Sequence, residues 1–145
     1  MNAFEIKNEI FTRLREEIVS KFPECFVTGE YQESIKKFPA VTFEEKSNTV
    51  YQQASTDVVE NAANLMYEVN VYTNTIGYRE DDAREIMLFI NEFMSSLGFT
   101  RTMLSPIPNL ADSTIYRLTA RYSGVAFFEK EKTETENVNY RIYQN

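Results

Sequence analysis

The side chains that carry most enzymatic chemistry are scarce in this chain. There is no histidine, so the commonest general base and the commonest metal ligand are missing. Cys25 is the single cysteine; with no histidine to activate it, it reads as a small buried hydrophobe or a surface thiol. The four glycines, Gly29, Gly77, Gly98 and Gly124, are too scattered to cradle a phosphate, and no serine stands in a G-x-S-x-G turn. Glu44 and Glu45 are neighbours in a strand-like stretch, where successive side chains take opposite faces, so they cannot share a substrate. Glu80, Asp81, Asp82 and Glu85 are dense enough to suggest a hard-cation site, which needs converging oxygens. Adjacent helix positions diverge, however, and the helix dipole alone favours negative charge at a helix start. The expectation is a protein with no catalytic, cofactor or metal set, and not an enzyme.

Arg117 and Arg121 are the remaining charged pair. Both fall on one face of an alternating stretch, roughly 13 Å apart at ~3.3 Å per residue. They suit an acidic partner surface or an ordinary solvated sheet face. The stretch that positions them is Ser113–Glu129, STIYRLTARYSGVAFFE. Tyr116, Leu118, Ala120 and Tyr122 take one face, and Arg117, Thr119 and Arg121 the other, the mark of a long half-buried strand. Gly124 interrupts it and predicts a bulge or a close backbone approach.

The other elements follow in chain order. Residues 3–21 read as a helix, with Ile6, Ile10, Leu14 and Ile18 in one stripe, Phe11 and Val19 widening it, and Asn2 as cap. Phe22-Pro23 ends it. Cys25–Tyr31 predicts a short strand and Phe38–Lys46 a better one, with Val41 and Phe43 on one face. Residues 47–64 are polar and predict a long loop or an extended hairpin arm, with apolar islands at Val50-Tyr51 and Val58-Val59. Leu65–Thr73 is a strong strand: Leu65, Tyr67, Val69 and Val71 make its core face, while Glu68, Asn70 and Tyr72 face away. Residues 79–97 predict a second helix on Ala83, Ile86, Met87, Ile90, Met94 and Leu97, stopped by Gly98. Thr100–Met103 is a short strand, and Ser105–Asp112, with Pro106 and Pro108, a turn region.

This order predicts a single α+β domain over residues 1–129. It has one mostly antiparallel sheet, with two main helices packed on one face and the arm at 47–64. Residues 130–145 read as a C-terminal extension, an exchanged strand or flexible tail. At 145 residues and 43% hydrophobic composition, one core suffices. The net charge of −7 argues against a nucleic-acid binder, which shows a basic footprint. The lone cysteine fits a reducing compartment. No apolar run approaches the length of a membrane span, and the charged N-terminal stretch has no signal core. The expected location is the cytoplasm.

Taken in order, residues 3–128 resemble the tail-terminator, or tail-to-head joining, proteins of long-tailed bacteriophages. The resemblance rests on the N-terminal helix, the FPAVTFEE strand, the polar arm, the LMYEVNVYT strand, the acidic-started helix after Tyr78 and the closing YRLTARYSGV strand. It implies a structural protein found in host cytoplasm during assembly and then at the tail–head junction of the virion. Such proteins form a ring, expected to be a hexamer, on the tail tube. They end tube growth and meet the head connector or neck protein. The implied partners are other copies of the chain, the tail tube protein and the connector. Genome DNA passes through such a ring without specific binding, and an acidic lumen would repel it. Another connector, neck or minor capsid component of similar fold is the alternative, and a small-molecule-binding or enzymatic α+β domain a more remote one. Candidate contact residues are Val50, Tyr51, Gln52, Val58 and Val59 of the arm, Tyr72, Arg117 and Arg121 of the sheet, and Tyr140 and Ile142 of the extension.

Overall fold

A computed structural model describes residues 5–30, 32–50, 62–109, 111–128 and 140–143. The elements are α1 (Ile6–Lys21), β1 (Phe26–Thr28), β2 (Ala40–Val50), β3 (Ala62–Thr73), α2 (Arg79–Ser96), β4 (Thr100–Pro106), β5 (Tyr116–Phe128) and β6 (Tyr140–Tyr143). The fold is α+β. One sheet runs in the order β1-β2-β3-β5-β4, and β6 adds to β5. All pairs are antiparallel except the three-residue β1–β2 ladder.

Both helices cover one face of the sheet. Ile6, Ile10, Leu14 and Ile18 of α1 are fully buried, as the four-residue stripe requires. They meet Val41 and Phe43 of β2, alternate residues of β3 and β5, and the α2 stripe Ala83, Ile86, Met87, Ile90 and Met94 in one core. Each large aliphatic side chain buried there contributes roughly 1.5–3 kcal/mol. An aromatic row crosses the layers: Phe11 stacks on Phe43, Phe43 on Tyr67, and Phe99 meets Tyr67 edge-on. Val19, expected to widen the α1 stripe, is exposed instead. The expected cap Asn2 lies outside the described residues.

The ends of α2 follow from its sequence. Glu80, Asp81 and Asp82 occupy its first turn. Gly98 takes φ +97°, and two backbone bonds close the last turn: Gly98 N–H donates to Ser95 O, and Phe99 N–H to Met94 O. That pattern is the Schellman stop, which wants a residue free of Cβ strain at the left-handed position.

Two sequence expectations need correction, and at 47–64 the hairpin alternative is the one the structure takes. Gly124 makes no bulge: the β3–β5 ladder runs without a shift from Thr73↔Tyr116 to Ala62↔Phe127, with Gly124 opposite Leu65. The register shifts lie at Lys46 in β2 and Thr102 in β4. Residues 105–106 are strand, because β4 runs on to Pro106 opposite Leu118; an edge strand tolerates the missing proline N–H. In the 47–64 region, residues 47–50 and 62–64 are paired strand, Val50 standing opposite Ala63. These are the two sides of a hairpin.

Candidate interaction surface

The face of the sheet turned away from the helices holds the most organised polar group among the described residues. Strand alternation puts Glu44, Thr42 and Ala40 of β2, Glu68, Asn70 and Tyr72 of β3, and Arg121, Thr119 and Arg117 of β5 on this face. The register aligns them in three rungs: Glu44–Glu68–Arg121, Thr42–Asn70–Thr119 and Ala40–Tyr72–Arg117. Antiparallel partners on one face sit close enough to interact directly.

Glu68 is the hub. Arg121 Nε donates to its Oε2 at 3.0 Å, Asn70 Nδ2 donates to its Oε1 at 3.2 Å, and Arg117 Nη2 lies 3.8 Å from Oε1. Arg117 Nε donates to Asn70 Oδ1 at 3.0 Å, and Thr119 Oγ1 donates to the same oxygen at 2.6 Å. The Arg117 guanidinium also lies over the Tyr72 ring, 5.7 Å from its centroid. Lys46 pairs with Glu44 at 2.9 Å.

The side chain of Glu68 is 7% exposed, against 31% for Arg117 and 43% for Arg121. The carboxylate is screened by the arginines laid against it rather than sunk in the core. Burial by itself pushes the Glu68 carboxyl up. The hydrogen bonds from Asn70 and Arg121, with the nearby charges of Lys46 and Arg121, outweigh that and hold it below its ordinary value. Lys46 is held above its ordinary value, first by its hydrogen bond to Glu44. Counting Lys46, Arg117 and Arg121 against Glu44 and Glu68, this face carries a surplus of positive charge in an acidic protein.

A groove of about 540 Å³ borders the Arg117 end, lined by Ile35, Tyr72, Pro108 and Ile115 and by the charged side chains of Glu33, Asp112 and Arg117 among others. At the same end of the sheet, on the helix side, the turn from β3 into α2 is bare: Ile76 is 94% exposed and Tyr78 64%. Gly77 between them has φ +81°, a left-handed conformation that glycine adopts without strain.

The structure brings together Arg117, Arg121 and Tyr72 of the expected contact residues. Tyr72 is buried, so it supports Arg117 from beneath and is not itself a free contact surface. Glu68 and Asn70 do face away from the helices, but both are buried. Val50 ends β2, and Tyr140 and Ile142 lie in β6, which pairs with β5 of its own chain, Ile142 opposite Ala126. Tyr51, Gln52, Val58 and Val59 lie outside the described residues. Sequence reading missed Glu68 as the arginines' partner, and Lys46, Asn70 and Thr119 as its company. Cys25 is buried, and burial pushes its thiol up to about 12. No group of three or more cysteine or carboxylate side chains placed to hold a metal ion occurs among the described residues. No helix among them is long and apolar enough to cross a membrane.

No model of a known protein family matches the chain, and no curated protein matches it significantly.

Proposed function

We propose that this chain is a structural assembly protein of a long-tailed bacteriophage. It caps the tail tube, ends its polymerisation and provides the joint to the head. The observation that carries this reading is the form of the β2–β3 hairpin. Among the described residues, only Val41 and Phe43 of β2 join the helix-side core. The remainder of the strand continues to Val50. Its outer edge is paired by β1 only at residues 40–42 among the described residues. A strand edge of that length offers unpaired N–H and C=O groups to another chain. The order of helices and strands agrees with the resemblance in the sequence. A ring of such subunits uses a heterologous interface, one patch meeting a different patch on the next copy.

The test is electron microscopy of tails assembled with and without the protein. Tubes of uncontrolled length in its absence support the terminator. Tails of normal length that fail to join heads favour the alternative, a connector or neck component of similar fold.

A further inference from the structure

We infer that the arginine face of one copy binds the acidic start of α2 on the next copy. This rests on the ring reading above and assigns the two surfaces that would close the ring. The receptor side is Arg117 and Arg121. Each guanidinium is anchored through Nε to an acceptor of its own chain, and the Nη groups make no hydrogen bond among the described residues. A guanidinium so fixed loses little freedom on taking a carboxylate. Glu68 cannot satisfy both cations, so the face retains positive charge for a partner.

The donor side is the turn into α2. Arg84 pairs with Glu80 at 2.7 Å, and Arg79 Nη1 donates to Ser113 O. Asp81 and Glu85, exposed and one helical turn apart, have no ion pair among the described residues, and neither does Asp82. Ile76 and Tyr78 stand beside this acidic edge, as the groove with Ile35, Pro108 and Ile115 stands beside Arg117. The groove itself also carries Glu33 and Asp112, so the attraction for the acidic edge of α2 lies at the Arg117 and Arg121 guanidinium groups, with the apolar side chains beside each surface adding contact area.

The two surfaces lie on opposite layers of one molecule, helix side and outer sheet side, and no ion pair joins them among the described residues. They lie at the same end of the sheet. Copies joined helix side to sheet side make a heterologous contact, which closes into a ring when the rotation between copies allows it.

Sedimentation of the purified full chain, alone and in mixtures, tests this. Wild type should form oligomers that dissociate toward ~1 M salt, where screening length falls to about 3 Å. Arg117→Glu and the double variant Asp81→Lys/Glu85→Lys should each weaken association by about tenfold or more. Mixed one to one, the reversed charges face each other and oligomers should return. Circular dichroism confirms that each variant is folded. Should Arg117→Glu unfold, the α2 variant, changed only at exposed helix positions, decides alone. Wild type that stays monomeric at every concentration overturns the inference, as do variants that assemble like wild type or a mixture that is not rescued. Binding of duplex DNA through Arg117 and Arg121, lost in Arg117→Glu while self-association persists, also overturns it. Unregulated tail length without the protein, seen alongside a monomeric wild type, would leave the proposed function standing and remove only this interface.

Discussion

Replacing Glu68 with Gln takes a negative charge from beneath two arginines that both lean on it. Hydrogen bonds to a charged partner weaken and Arg121 loses its counter-ion, so we expect a loss of about 1–3 kcal/mol near neutral pH by urea unfolding. The pH dependence has a definite sign. The folded carboxyl sits below its ordinary value, so its stabilisation is complete above the unfolded value of about 4.3 and drains away as pH falls through the lower folded value. Glu68→Gln should flatten that part of the acid limb in unfolding curves measured from about pH 7 downward. Cys25 gives a second expectation. Its thiol, pushed up to about 12 by burial, stays protonated at neutral pH, and the thiolate is the reactive form. A chromogenic thiol reagent should react with native protein only as fast as the structure opens, and at once in denaturant. That Arg117 and Arg121 share a face was legible in the sequence, because alternation along a strand is local. Their partner was not. Glu68 is 53 positions from Arg121, and a two-residue slip of β3 would keep every face while putting Asn70 or Met66 in its place.

Among the elements, the helices were the most legible, since each has a regular stripe and a clear stop. Gly98 is the sharpest test of a stop. Alanine at φ +97° meets the steric penalty of the left-handed region, so Gly98→Ala should cost about 1–2 kcal/mol, read as a lower thermal midpoint. Phe99 escaped notice because it stands one residue past the helical period, yet it is buried against Tyr67. The strands were placed correctly, but β2 and β4 run on past their expected ends, β3 begins three residues early, and β1 is shorter than expected. A polar run at 47–50 gives no apolar alternation to read, although backbone pairing to Ala63–Met66 continues through it. Pro106 looked like a breaker, and on an edge strand it is not one. Gly124 looked like a bulge. The real irregularities fall at Lys46 and Thr102, two residues whose types carry no signal for one.

Over the whole molecule, β3 is flanked on both sides along nearly its full length among the described residues. β2 pairs with it from Ala63 to Tyr72 and β5 from Ala62 to Thr73. Its amides should be the last to exchange with deuterium in native-state measurements, with protection approaching the global unfolding energy. Amides of β1 and β6, held in ladders of three and four residues, should exchange first. The strand order has a further consequence for how the protein is made. β4 is synthesised before β5, but β5 lies between β3 and β4 in the finished sheet. While a ribosome is still adding residues 116–128, β3 has one bare side and β4 has no neighbour to join. The nascent chain therefore cannot complete its sheet until most of its length has left the ribosome, and in that interval it is most exposed to pairing with another nascent copy.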